Sequence, residues 1–157
     1  MDSFALVVGE TTGCWALACR RALSQIDRTA WPEQVAPRVY EARHAHDFFS
    51  LLQPLDAAIG VWELNERNLA ALEQWRRECE TRPANFRMLV VVGGPWLESF
   101  AVELSELGAA AVVTNERDWL GLAGWICRSA NYAAALPQAK RSLREHVWRR
   151  LPWSEAG

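Results

Sequence analysis

The stretch LDAAIGVWEL, residues 55–64, decides the fold class of this chain. After Asp56 it continues through small and apolar residues and then enters a polar loop. A short continuous apolar run of this kind predicts a strand covered on both faces, as in a parallel sheet flanked by helices. In such sheets, binding and chemistry occur beyond the carboxyl ends of the strands. In this chain Val61 and Trp62 occupy that place.

Strand and helix patterns alternate on both sides of this stretch. Other apolar runs predict strands over residues 4–9, 86–92 and 109–114, and RVYEA, residues 38–42, is a weaker strand pattern. Amphipathic patterns predict helices over residues 15–26, 46–53, 66–79, 97–107 and from about 119. The short connections favour a five-stranded parallel sheet with helices on both faces. We expect the flavodoxin-like strand order 2-1-3-4-5, because right-handed crossovers leave few other topologies.

Composition excludes several classes of protein. A chain of 157 residues with half of them hydrophobic suits one α/β domain with a full core. A net charge of −2 argues against a general polyanion binder, and the apolar runs are shorter than a membrane span. The four cysteines form no CxxC pair, and the first residues lack a basic region before the apolar stretch. We therefore expect a cytoplasmic protein with free thiols.

The carboxyl-terminal stretch differs from the rest of the chain. QAKRSLREHVWRRL, residues 138–151, predicts an extra helix with Leu143, Val147, Trp148 and Leu151 on one side. Residues 138–157 carry a net charge of +3, and the other residues carry −5. We divide the chain into an α/β domain over 1–134 and a helical tail over 135–157. The apolar side of the tail is expected to pack on its own domain or on a twin subunit, and nucleic-acid binding is not favoured.

The spacing of residues 4–130 resembles that of response-regulator receiver domains. ELGAAAVVTN, residues 106–115, is similar to the alanine-rich passage from helix four to strand five of receivers. PLDAAIGVW, residues 54–62, resembles the stretch in which one aspartate begins strand three and the phosphoacceptor aspartate ends it. The resemblance implies a receiver-like (βα)5 fold of a bacterial signalling protein. It also places Val61 where the phosphoacceptor would stand.

The residues at the other functional positions of the family also depart from its pattern. The magnesium-binding acidic pair falls on Gly9 and Glu10, the hydroxyl after strand four on Gly93 or Gly94, and the lysine on Asn115. Phosphoryl transfer to a carboxylate needs a nucleophilic oxygen, a hard cation and a positive group. We therefore predict a pseudo-receiver without catalytic residues, metal or cofactor. Its function would be phosphorylation-independent regulation through a protein partner.

The resemblance also suggests a working surface. Receiver-like domains commonly pair through the face built from helix four, strand five and helix five, here about residues 96–128. We expect self-association, as a homodimer, or partner binding through this face. The residues predicted to contribute are Trp119, Trp125, Val147 and Trp148.

Two further interpretations of the sequence stay open. GETTGCW, residues 9–15, could hold a phosphate at a helix start, as in a small FMN- or nucleotide-binding flavodoxin-like protein. The residues concerned would be Thr11, Thr12 and Gly13, with Trp62 and Trp96 beside the flavin ring. The same stretch also fits a plain helix start capped by Thr12. An enzyme with unrecognised chemistry is the other possibility.

One polar stretch, EARHAHD at residues 41–47, could supply metal ligands. His44, His46 and Asp47 are the candidates. They lack an obvious further ligand, so we favour a polar loop in which Asp47 caps the following helix.

Overall fold

The computed structural model of the protein describes residues 4–82 and 85–149, with side chains described as far as Leu136. Strands and helices alternate along the described chain. The strands are β1 (Ala5–Gly9), β2 (Arg38–Ala42), β3 (Ala57–Glu63), β4 (Phe86–Val92) and β5 (Ala109–Val113). The helices are α1 (Cys14–Ser24), α2 (Ala45–Leu52), α3 (Ala70–Thr81), α4 (Ala101–Glu106) and α5 (Asp118–Arg149).

All five strands pair in parallel in the order β2-β1-β3-β4-β5, which confirms the predicted topology. The register places Gly9 beside Trp62 on the adjacent strand. The carboxyl ends of β1 and β3 therefore meet at one edge of the sheet, which we call the carboxyl edge. The residues that follow these strands come from distant parts of the sequence but lie near each other.

Alternation along the strands divides the core into two layers. Val61 packs on the side of α1 and α5, in a cluster with Trp15 and Trp119. Its neighbour Trp62 faces the other side, where it packs with Phe48 and side chains of α2, α3 and α4. Both faces of the sheet are covered, as the continuous apolar runs predict.

Two strand glycines make room for tryptophan rings. A β-carbon on Gly9 would lie 2.4 Å from Cε3 and Cζ3 of Trp62. A β-carbon on Gly60 would lie 2.5 Å from Cζ3 of Trp75. These distances are far below van der Waals contact, so no side chain fits at either glycine unless a ring moves. Large aromatic residues and glycines on this face are therefore complementary.

The predicted element boundaries differ from the observed ones where polar turns intervene. The helix predicted from residue 66 begins at Ala70, because Asn65 and Asn68 form a hydrogen-bonded turn; the side-chain Oδ1 of Asn68 accepts from the Asn65 N–H at 2.8 Å. The helix predicted over 97–107 is a 3₁₀ segment, Pro95–Phe100, followed by the short α4. Gly108, with φ +103°, ends it as a left-handed terminal glycine should.

The carboxyl-terminal helix is present as a continuation of the fifth helix. Helix α5 contains 32 residues and passes through Pro137, which corresponds to a length of about 48 Å. Val147 and Trp148 lie outside the part of the chain whose side chains are described. None of the helices in the described ranges is long and apolar enough to span a membrane.

Candidate functional site at the carboxyl edge

Val61 is fully buried in the layer between the sheet and helices α1 and α5. Its side chain is a hydrocarbon, so the position that the resemblance assigns to the phosphoacceptor offers no nucleophilic oxygen. The neighbouring Trp62 is 5% exposed and fills the space above Gly9, where the first residue of the family's acidic pair would stand. A carboxylate at residue 9 would need the volume that this ring occupies.

Glu10 is buried and stabilises the start of helix α1. Its Oε2 accepts from the backbone N–H of Trp15 and its Oε1 from that of Ala16, both at 2.8 Å. These N–H groups belong to the first turn of the helix, which has no partners for them within the helix. Thr12 was expected to cap this helix, but that prediction is wrong: the N-cap is Gly13, with φ +82° and no side-chain cap. The carboxylate of Glu10 reaches over the loop and does the capping instead.

Glu63, the last residue of β3, lies in the same polar cluster as Glu10 and was not singled out from the sequence. Its Oε1 accepts from the N–H of Thr11 at 3.3 Å and from Oγ1 of Thr11 at 2.9 Å. Its Oε2 accepts from Oγ1 of Thr12 at 3.1 Å. A signal for it did exist, because strand alternation puts residue 63 on the same face as residue 61. The β1–α1 loop is also held by Arg43, which donates to the Thr11 carbonyl at 2.7 Å.

The third member of the cluster is Cys14. One ligand atom from each of Glu10, Cys14 and Glu63 lies within 4.8 Å of the other two, so these residues could offer three ligand atoms to a cation. Burial, together with the carboxylates of Glu116 and Glu10, raises the pKa of the Cys14 thiol, although a hydrogen bond with Thr12 opposes the shift. The thiol is therefore protonated near neutral pH. The carboxylate oxygens already accept hydrogen bonds from the chain, so the cluster acts as an internal polar network.

The remaining positions of the family's pattern have structural roles here. A β-carbon on Gly93 would lie 2.7 Å from Cδ1 of Leu97, so a hydroxyl side chain there would displace Leu97. Asn115, at the position of the family's lysine, accepts the N–H of Arg117 through Oδ1 at 3.0 Å. This bond forms the turn that leads into α5. Neither residue can supply a positive group to a developing phosphoryl charge.

The residues of the flavin interpretation do not converge on one space. Trp62 packs against Phe48, with ring centroids 5.0 Å apart, and is buried, whereas Trp96 is 44% exposed. The hydroxyls of Thr11 and Thr12 donate to Glu63. Two carboxylates beside the loop would repel a phosphate, so the geometry does not favour FMN or a nucleotide.

The candidate metal ligands of the β2–α2 region lie at the surface, at the start of helix α2. His44, His46 and Asp47 are exposed. The N-cap of α2 is His44, with no side-chain hydrogen bond, so the predicted cap by Asp47 is wrong. Asp47 lies in the first turn of the helix, where a negative charge interacts favourably with the helix dipole.

The predicted interaction residues are only partly at the surface. Trp119 is fully buried against the sheet, which corrects the expectation that it contributes to an interface. Trp125 is partly buried and packs against the same core cluster. Four large apolar side chains of the segment before β5 are exposed. They are Trp96 (44% exposed), Phe100 (48%), Val102 (70%) and Leu107 (39%).

Comparison with known proteins places this geometry in a fold. No family model and no curated protein matches the chain. Among solved structures, the signal receiver domain of a Luxo repressor protein from Vibrio parahaemolyticus is similar, with a TM-score of 0.61 and 9% identity over 87% of this chain and 98% of that chain. A CheY-like protein, TadZ, from Pseudomonas aeruginosa PAO1 gives 0.55 and 17% identity, over 83% of this chain and 94% of the other.

A third structure, the Mn²⁺-bound form of response regulator Rcp1, gives a TM-score of 0.53 and 12% identity, over 78% of this chain and 90% of that chain. These identities are low, so the likeness concerns the fold. The class of protein defined here is the CheY-like, receiver-like α/β fold. Within it, this chain has an additional carboxyl-terminal helical extension.

Proposed function

We propose that this chain is a phosphorylation-independent regulatory domain that works by binding another protein. One observation carries the proposal: at the carboxyl edge, Val61 is a buried hydrocarbon and the Trp62 ring occupies the space beside Gly9. The buried Glu10 holds the start of α1, so its oxygens are engaged. A receiver-like fold without an available acceptor is left with its surface as a means of signalling. Its four free cysteines are consistent with a reducing cytoplasm.

The proposal is tested by incubating the purified chain with acetyl phosphate and Mg²⁺ and measuring the intact mass. We expect no phosphoryl adduct, because no carboxylate occupies the acceptor position. A response regulator that retains its acceptor aspartate, treated in the same tube, shows that the reagent is active. A stoichiometric adduct on Asp56, Glu10 or Glu63 would contradict the proposal and the assignment of Val61.

Restoring the acceptor alone is a sharper form of this test. We expect Val61→Asp to remain unphosphorylated, because the cation site and the lysine are also missing and phosphoryl transfer depends on both. The same substitution introduces a carboxylate at a fully buried position, so its folding is checked first by circular dichroism. Rapid phosphorylation of a folded Val61→Asp chain would mean that the rest of the site is functional.

We further propose that the partner binds the surface formed by Pro95–Phe100 and α4, together with the start of α5. Several exposed side chains there, among them Trp96 and Phe100, are large and apolar, and such residues anchor protein interfaces. Replacing Phe100 with serine is expected to reduce partner capture while leaving the fold intact. Serine at Leu17, which is 47% exposed on α1, is the matched control.

The flavin alternative has a direct readout. Purified protein is expected to show no flavin absorbance and no thermal shift with FMN. A ligand at about one hundred times its dissociation constant would stabilise the fold by about 2.7 kcal/mol, which a thermal melt detects easily. A clear upward shift would favour the flavodoxin-like alternative over the regulatory domain.

A further inference from the structure

The segment before β5 presents an apolar and acidic surface. We define the α4 surface as the exposed side chains of residues 95–107. Only Leu97 and Leu104 of this segment are buried. The segment contains three exposed glutamates and no basic residue; they are Glu98, Glu103 and Glu106. Covering exposed apolar side chains is favourable, and the three glutamates attract positive charge. The α4 surface therefore suits a partner that is both apolar and basic.

The chain itself contains a segment of that chemistry. Residues 138–157 have five basic and two acidic side chains, and they include Leu143, Val147, Trp148 and Leu151. The net charge of this tail is +3, and that of residues 95–107 is −3. Opposite charge together with apolar content on both sides is the complementarity that protein interfaces use.

The course of α5 separates the tail from the α4 surface of its own chain. Helix α5 starts after β5 at the carboxyl edge and reaches the opposite edge by Tyr132, whose ring lies 5.9 Å from that of Phe86, the first residue of β4. The helix continues from there to Arg149, which adds about 25 Å beyond the sheet. Leu104 packs on the face of the sheet opposite to α5. A continuous α5 therefore carries the tail away from its own α4 surface.

We propose that the occupant of the α4 surface is the basic tail of a second copy of this chain. This inference rests on the proposed function, since it names the partner of the same surface. Two copies that exchange tails reciprocally would form a closed dimer with two equivalent contacts. Each contact joins a net negative surface with a net positive segment, and it buries Phe100 and Val102, which are exposed in the single chain.

Two charge-reversed variants of the full chain test this arrangement. The tail variant carries Arg141→Glu and Arg144→Glu, and the surface variant carries Glu103→Arg and Glu106→Arg. Within either variant, tail and surface have the same sign of charge, so each alone is expected to dissociate at least about tenfold more readily than the parent. In an equimolar mixture, every tail meets a surface of opposite sign. The mixture is therefore expected to form a dimer that neither variant forms alone, measured by light scattering after size exclusion.

A charge reversal elsewhere on the surface and the salt dependence of the dimer serve as controls. Reversal of Glu73 and Glu80 to arginine on the exposed face of α3 has the same charge change as the surface variant. It also removes the exposed ion pairs with Arg77 and Arg76, which contribute little to stability, and is expected to leave the dimer intact. If a reversed variant does not fold, the glutamine versions of the same positions replace it, with a smaller expected loss. The dimer should also weaken as salt rises, because the Debye length falls from about 10 Å at 0.1 M to about 3 Å at 1 M.

A monomeric parent at all concentrations, a dimer that ignores both reversals, or a mixture that stays monomeric would each overturn tail exchange. These outcomes leave the proposed function standing, since phosphorylation is measured separately on the parent. A phosphoryl adduct on a chain that still exchanges tails would contradict the proposed function and leave tail exchange standing.

Discussion

The carboxyl edge and the α4 surface have opposite characters in this molecule. At the carboxyl edge, Glu10 is buried and both of its oxygens accept backbone N–H groups of α1. Glu63 accepts the hydrogen bonds of the neighbouring loop. At the α4 surface, Phe100 and Val102 are about half or more exposed, and α4 is attached to the core through Leu104. The carboxylates at the carboxyl edge are therefore hydrogen-bonded within the chain, whereas the apolar side chains of the α4 surface are uncovered.

This difference teaches where function can reside in this receiver-like fold. Buried charged groups are tolerated only when they are hydrogen-bonded, and the carboxylates of Glu10 and Glu63 meet that condition within the chain. The buried indole N–H of Trp62 has no partner, but it lies in the aromatic layer on the other face of the sheet. A substrate or ion would have to displace these bonds before it could bind. Exposed apolar side chains carry no such barrier, because covering them is favourable from the start. Binding is therefore expected at the α4 surface, and rigidity at the carboxyl edge.

The largest effect on stability is expected from Gly9→Asp. A β-carbon at residue 9 would overlap the Trp62 ring, and the new carboxylate would enter a buried aromatic layer. We expect the free energy of unfolding to fall by about 3 kcal/mol or more, as measured by urea denaturation. An aspartate at residue 9 is thus expected to destabilise the carboxyl edge rather than to create a cation site beside Glu10.

The control for this substitution is Gly121→Asp in α5, where a β-carbon meets nothing within 4 Å. Its expected change is within about 0.5 kcal/mol, because glycine and aspartate have similar helix propensities. Equal losses from the two variants would mean that the Trp62 ring moves freely and does not close the edge.

The next largest effect is expected from Glu10→Ala. This change leaves the N–H groups of Trp15 and Ala16 buried without acceptors, at a cost of about 2 kcal/mol. Glu10→Gln retains one carbonyl oxygen and should lose about half as much. If alanine and glutamine were equally harmless in thermal melts, the helix start would not depend on this side chain.

The parallel sheet, its strand order and the absence of an aspartate at residue 61 could all be predicted from the sequence. Continuous apolar runs and short connections leave few alternative folds. The position of Val61 follows by counting from Asp56, the residue that precedes β3. Residues 86–92 were predicted to the residue, because β-branched side chains end there against Gly93 and Gly94. A local sequence pattern is sufficient to predict a strand when neighbouring residues alone fix where the strand begins and ends.

The polar network could not be predicted in the same way. Glu10 caps a helix across the β1–α1 loop, and Glu63 reaches that loop from a strand more than fifty residues away. Both contacts depend on tertiary placement. The burial of Trp119 was likewise decided by how α5 lies on the sheet, whereas Trp96 and Phe100 are exposed because their segment forms a 3₁₀ turn at the rim. Amphipathic spacing alone does not distinguish these cases.

A smaller effect is expected from Glu63→Gln. The amide keeps one acceptor oxygen for the Thr11 and Thr12 groups but loses the charge that strengthens those hydrogen bonds. We expect a loss of about 0.5–1 kcal/mol, with faster hydrogen exchange at the Thr11 amide as the local readout. Glu66→Gln, an exposed neighbour in the following loop, is the matched control and should leave that amide unchanged. Unchanged exchange in Glu63→Gln would mean that Arg43 alone holds the loop.

The smallest effect on the fold is expected from Val102→Ser at the α4 surface. The side chain is 70% exposed, so its replacement should change the free energy of unfolding of the monomer by less than about 0.5 kcal/mol. On the same helix, Leu104 is 4% exposed, and Leu104→Ala is expected to cost about 2–3 kcal/mol. Self-association of the Val102→Ser chain should weaken, because the apolar contact of this side chain exists only in the complex. Denaturation of dilute protein measures the first quantity, and sedimentation of concentrated protein measures the second. A Val102→Ser chain that associates like the parent would place the interface elsewhere and remove the contrast between the two regions.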